Sequence, residues 1–148
     1  MPDPLRVIRR FLGKPDFDSA FVGRRGEAAA ARYVRRIGLR VLDRNVRLAG
    51  GEIDLVCEPD DESMVILVEV KARAVRGGYD QPFLPPEEAV DQEKREKLVE
   101  LAHELKRRHP HLQRSTRIDV IGVDLFEPGT WRERVRLRYF AGAVSLRA

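Results

Sequence analysis

Apolar residues change their spacing along this chain, and each change marks an element. From about Ser19 the pattern is helical: Asp18 or Ser19 can cap, Ala28 to Ala31 favour helix, and Gly38 stops it after Ile37. Leu39 to Leu48 then reads as a strand, and Gly50-Gly51 turns the chain into a second strand from Glu52 to Glu58. The breaker-rich Pro59-Asp60-Asp61-Glu62-Ser63 leads into a third strand, Met64 to Ala72, with the apolar run Val65-Ile66-Leu67-Val68. The second and third strands therefore form a hairpin. Val75 to Pro86 is loop, and Pro86 with Glu87 and Glu88 suits a helix start, with periodicity running to Arg108 before Pro110. Ile118 to Leu125 is another apolar strand, Glu127-Pro128-Gly129 a turn, and Arg134 to Phe140 a last strand.

The order helix, three strands, helix, two strands (αβββαββ) predicts an α/β fold with a mixed central sheet flanked by helices. Residues 1–17, with three prolines and the short apolar set Leu5, Ile8 and Leu12, read as a loosely attached extension. Residues 18–148 read as one domain, the default for 148 residues.

Composition narrows the class. A hydrophobic fraction of 43% and a charged fraction of 35% suit a globular protein, and no run is long enough to span a bilayer. The N-terminus lacks the basic start and apolar core of a secretory signal, which points to the cytoplasm. Cys57 is the only cysteine, excluding an internal disulfide and a cysteine zinc cluster, so a bound metal would be held by oxygen. The net charge of +4, from 28 Lys and Arg against 24 Asp and Glu, is too small an excess to identify a partner.

The candidate chemistry lies in the hairpin, in Gly51-Glu52-Ile53-Asp54-Leu55-Val56 and Val68-Glu69-Val70-Lys71, where charged residues interrupt buried strand. Charges in such a setting are costly unless paired, hydrogen-bonded or bound to a metal. If Asp60 lies opposite Ser63, position 54 falls opposite 69 and position 52 opposite 71. Strict alternation then gathers Glu52, Asp54, Glu69 and Lys71 on one face. Opposed carboxylates with Cβ atoms roughly 5 Å apart raise one another's pKa unless a cation intervenes. A hard ion such as Mg²⁺ fits, and Lys71 adds a positive charge that can orient water or stabilise a phosphoryl centre. The competing reading is an ordinary ion pair on a solvated sheet face; the apolar run on both faces of the third strand favours a site.

Gly51-Glu52-Ile53-Asp54-Leu55, Val68-Glu69-Val70-Lys71-Ala72-Arg73, Glu88-Ala89-Val90 with Lys94, and Arg117-Ile118-Asp119-Val120 occur together and in order. In these motifs, from about Gly23 to Val123, the chain resembles the bacterial YraN family, itself similar to the PD-(D/E)XK nuclease superfamily that includes archaeal Holliday-junction resolvases. The resemblance implies a restriction-endonuclease-like core, with Asp54 and Glu69 as ligands of Mg²⁺ or Mn²⁺ and Lys71 as the catalytic lysine. It also matches Glu27 to the acidic residue that resolvase-like members direct from the first helix to the metal.

Residues outside the hairpin leave alternatives open. Glu52 can belong to the site or pair with Lys71. Lys94 occupies the missing step in the stripe Val90, Leu98, Leu101 and Leu105, where it either snorkels or points to the site to contact phosphate. Arg73 continues the alternation of Glu69 and Lys71 and either reaches phosphate or ends the strand in solvent. Arg132, Arg134, Arg136 and Arg138 share one face of the last strand; guanidinium forks in such a row suit phosphate, but an exposed edge strand also carries charge to block aggregation, and the edge reading is preferred. Asp119, in an apolar strand after Arg117, either forms a local pair, supports the site end of the sheet or stands behind a site residue. The expected activity is metal-dependent phosphodiester hydrolysis in DNA, including branched DNA, for which a homodimer would supply two cuts. The alternative is a binding module that keeps the fold and recognises nucleic acid without cutting.

Overall fold

A computed structural model describes residues 19–75, 82 and 90–146; the expected N-terminal extension, most of the long loop and the Pro86 helix start lie outside them. Helix α1 spans Ser19–Arg36, and strands β1, β2 and β3 span Leu39–Leu48, Gly51–Pro59 and Met64–Val75. Helix α2 spans Gln92–Arg108, a 3-10 turn covers Pro110–Leu112, and β4 and β5 span Ser115–Phe126 and Arg134–Val144. The chain thus has the expected α/β order around a five-stranded sheet, β1-β2-β3-β4-β5. The sheet is mixed: β3 and β4 run parallel, and the other neighbours are antiparallel. Among the described residues no helix is long and apolar enough to cross a membrane.

Local chemistry explains the element ends. Gly38 adopts φ +97°, the left-handed conformation that glycine enters at little cost, and donates to Arg35 O at 3.1 Å to close α1. Asp91 caps α2 by accepting from Lys94 N at 2.8 Å, so the helix starts at Gln92 and Val90 stands before it in a bend. β5 runs past the expected Phe140 because Gly142, at φ +63°, is held by its N–H to Asp119 Oδ1 at 2.7 Å.

Two apolar layers sandwich the sheet. On one side α1 covers Leu55, Cys57, Ile66, Val68, Ile121, Val123 and Leu125; on the other α2 covers Ile53, Val56, Val65, Leu67, Ile118 and Val120. Each large aliphatic side chain so buried contributes about 1.5–3 kcal/mol. Gly26 lets α1 lie close on β3, since a Cβ there would come 2.3 Å from Ala72 Cβ. This close approach carries the next residue, Glu27, down to the sheet.

Buried charges are neutralised within the fold. Asp119, fully buried, accepts from Arg117 Nε and Nη2 at 2.8 and 2.9 Å and from the Tyr139 hydroxyl, so the expected local pair with Arg117 is part of a larger network. At the hairpin turn, Glu58 takes Arg40 at 2.5 Å and Arg114 at 2.9 Å. Asp124 binds Arg73 Nε at 2.7 Å and Arg136 Nη2 at 2.6 Å. The exposed-edge reading therefore fails for Arg136, whose side chain is 11% exposed, because its register partner on β4 is this carboxylate.

Candidate metal centre

β2 and β3 pair in the register expected from their turn, with Leu55 opposite Val68, Val56 opposite Leu67 and Cys57 opposite Ile66. Asp54 and Glu69 stand next in line, where the ladder stops. Ile53 packs in the α2 layer while Leu55 packs in the α1 layer beside Cys57, so alternation along β2 slips by one residue at Asp54. Asp54 Oδ2 accepts the Val70 backbone N–H at 2.8 Å, which fixes the carboxylate between the two strands.

This slip corrects the single-face expectation for Glu52, Asp54, Glu69 and Lys71. On the α1 side, carboxylate oxygens of Glu27, Glu52 and Asp54 all lie within 4.8 Å of one another. On the α2 side Glu69 meets Lys94 Nζ at 3.2 Å. Asp54 stands between the two groups. Glu52 is accordingly a neighbour of Glu27, with Arg47 at 3.7 Å as its ion-pair partner in place of Lys71. Lys94 thus reaches the site side of the sheet, where its ammonium pairs with the Glu69 carboxylate.

Asn45 completes the α1 side and was not signalled by the sequence. With its amide turned to satisfy its neighbours, its nitrogen donates to Glu52 Oε1 and Glu27 Oε2, both at 3.0 Å. It occupies the left-handed region at φ 50°, which Asn tolerates better than most residues, but no spacing rule links it to the acidic residues. Lys71 is exposed, and among the described residues no ion pair to it is found. Arg73 is committed to the fold, with Nε on Asp124 and Nη2 on the Pro82 carbonyl at 2.7 Å.

Burial and mutual repulsion make the charged forms of these carboxylates costly. Burial, and then the Asp54 charge, push the Glu69 carboxyl up to about 7. Burial raises Asp54 as well, against the lowering effect of the Val70 N–H. Glu27 is raised by burial and by the charges of Asp54 and Glu52. Glu69 Oε2 is buried and has no hydrogen-bond partner among the described residues. An orphaned buried carboxylate oxygen beside three converging carboxylates fits a divalent ion, and an oxygen-only donor set suits hard ions. The cluster Glu27, Glu52 and Asp54 could thus bind a metal.

A family model described as "Uncharacterised protein family UPF0102" matches residues 26–123, a span holding every one of these groups. The chain belongs to this family. UPF0102 is the YraN family that the motifs resemble. The UPF0102 protein of Herminiimonas arsenicoxydans is 36% identical over 119 residues, covering 79% of this chain and 88% of its own. That of Geobacter sulfurreducens is 32% identical over 135 residues, covering 91% and 97%, and that of Syntrophotalea carbinolica is 41% identical over 105 residues, covering 69% and 77%. Among solved structures, Pyrococcus furiosus SfsA in complex with Ca²⁺ aligns with 90% of this chain and 71% of its own, at 19% identity and a TM-score of 0.40.

Proposed function

We propose that this UPF0102 protein is a Mg²⁺- or Mn²⁺-dependent nuclease that hydrolyses phosphodiester bonds in DNA. The observation that carries the reading is Asp54, held by the Val70 N–H between Glu27 and Glu52 on one side and Glu69 and Lys94 on the other. Asp54, Glu69 and Glu27 would hold the ion, with Glu52 beside them. A bound divalent ion supplies Lewis acidity at a phosphate oxygen and lowers the pKa of water.

The chain's own residues supply the rest. The Val70 N–H and the Asn45 amide fix carboxylate orientations before substrate arrives, so little reorganisation is needed. Lys94 offsets the charge of Glu69, and the exposed Lys71 ammonium orients the attacking water or stabilises negative charge growing on the phosphate. Similarity of the YraN family to resolvases makes branched DNA the substrate to test beside linear duplex, and a homodimer the assembly that would cut both strands of a symmetric junction.

The test is nicking of linear and four-way-junction DNA with Mg²⁺, Mn²⁺ or EDTA, beside a Mn²⁺ titration. Metal-dependent nicking lost in both Asp54→Asn and Lys71→Ala supports the reading; activity surviving both substitutions sinks it. Tight, salt-dependent DNA binding without metal uptake would instead identify a non-catalytic binding module.

A further inference from the structure

Three rows of residues cross β3, β4 and β5 on the α2 side of the sheet. Glu69, Val120 and Phe140 stand in register, and the latter two pack in the apolar layer under α2. Farther along, Arg73, Asp124 and Arg136 stand in register and are tied together by ion pairs. The row between them is Lys71, Gly122 and Arg138. Its two cations are exposed, and its middle position has no side chain. The Arg138 guanidinium lies over the Phe140 ring, 5.3 Å from its centroid, and so leans toward the row that contains Glu69.

Among the described residues nothing requires a glycine at 122. The residue is paired on both sides within β4, and its φ is not positive. A Cβ there would meet nothing among the described residues nearer than the Arg138 carbonyl oxygen at 4.0 Å. Glycine inside a strand forfeits packing and costs backbone entropy, and it recurs where a ligand or another backbone comes close. At Gly26 the close neighbour is internal, Ala72; at Gly122 no described residue takes that role.

The flanking chemistry says what would come close. Lys71 and Arg138 stand two strands apart, about 10 Å between backbones, a gap their side chains can close on a tetrahedral oxyanion. Glu69 lies two residues from Lys71 on the same face of β3, about 7 Å away along the strand.

We propose that the surface above Gly122, between Lys71 and Arg138, seats a backbone phosphate of the nucleic acid strand bound at the carboxylate centre. The identity of this ligand rests on the nuclease reading. Arg138 is then a substrate-binding residue and Gly122 the floor that gives the phosphate room.

The test is fluorescence anisotropy of labelled duplex and single-stranded DNA in EDTA, across a salt series, with Arg138→Ala, Arg138→Lys, Gly122→Val and the distant control Arg36→Ala. Each variant is first matched to wild type in thermal melting. Arg138→Ala and Gly122→Val should each weaken binding about tenfold and reduce the slope of log affinity against log salt by about 1. Arg138→Lys should restore the slope, and Arg36→Ala should leave both quantities unchanged. Gly122→Val removes no charge, so its loss would report occupied space. Wild-type affinity and slope in folded Arg138→Ala and Gly122→Val overturn the proposal. So does displacement of DNA by inorganic phosphate at matched ionic strength when neither variant alters DNA affinity, since the seat would then take free phosphate. Weakened binding in the variants without any Mn²⁺-dependent nicking keeps the seat and removes the nuclease; nicking with unaltered variant binding does the reverse.

Discussion

Asp54 Oδ2 accepts the N–H of Val70 at 2.8 Å just beyond the last paired residues of β2 and β3. The carboxylate therefore satisfies a backbone donor as well as facing Glu69. These two roles separate by substitution. Asp54→Asn keeps an oxygen for Val70 and removes a charge beside Glu69, so without metal it should melt at or above the wild-type temperature. Asp54→Ala leaves the donor unmet and should cost about 1–3 kcal/mol. Both should abolish Mn²⁺ uptake, which calorimetric titration and thermal melting together would record.

The pH dependence of stability should reverse when metal is added. In the metal-free protein Glu69 is raised to about 7, and Asp54 and Glu27 are raised too. Folded-state values above the unfolded ones mean that the folded chain holds these protons more tightly. Their contribution is complete below the ordinary carboxylate range, about 4, and is lost as pH rises through about 7. The metal-free protein should gain stability from these groups between pH 8 and pH 5.5. Stabilisation by Mn²⁺ should instead grow over the rise from pH 5.5 to 8, as protons stop competing for the same oxygens. Glu69→Gln should flatten both trends in melting curves.

Gly26→Ala should act at a distance from any carboxylate atom. Its Cβ would sit 2.3 Å from Ala72 Cβ, so α1 must move away from β3, at a cost of about 1–3 kcal/mol. Glu27 moves with it, and Mn²⁺ affinity should fall. Adding Ala72→Gly should recover much of both losses, an interaction that a double-mutant cycle measures.

Lys71→Ala should leave the melting temperature and Mn²⁺ affinity near wild type, because the side chain is exposed and has no ion pair among the described residues. Cleavage should fall by about 10²–10³-fold, the range for loss of one electrostatic contact to the reacting group. Single-turnover nicking beside the Mn²⁺ titration separates these effects.

Much of the fold was legible because its signals are local. Leu39 to Leu48 is bracketed by Gly38 and the Gly50-Gly51 turn, and β1 has these ends in the structure. The five residues from Pro59 to Ser63 set the hairpin register, and with it the meeting of Asp54 and Glu69. The slip at Asp54 was not legible, since a period-two pattern carries no mark of a one-residue irregularity until neighbouring side chains choose their layers. Spacing alone therefore leaves Glu52 open between the site and Lys71, and the slip sets it beside Glu27. The contacts of Asn45, Arg73 and Arg136 are illegible for a related reason: their partners lie on other elements, and pairs between elements require a register and packing that sequence spacing alone does not supply.

The parallel junction of β3 and β4 has a consequence for how the molecule assembles itself. It pairs Met64 with Ser115 across the whole intervening helix, whereas β2 with β3 and β4 with β5 are joined by short turns. Loop closure makes the junction the entropically demanding contact and the two hairpins the easy ones. All four carboxylates come from the first half of the chain, and Gly122 and Arg138 from the final hairpin. A newly made chain can thus bring its acidic residues together before the cationic row exists, and the two become one surface only when the late, long-range pairing zips shut.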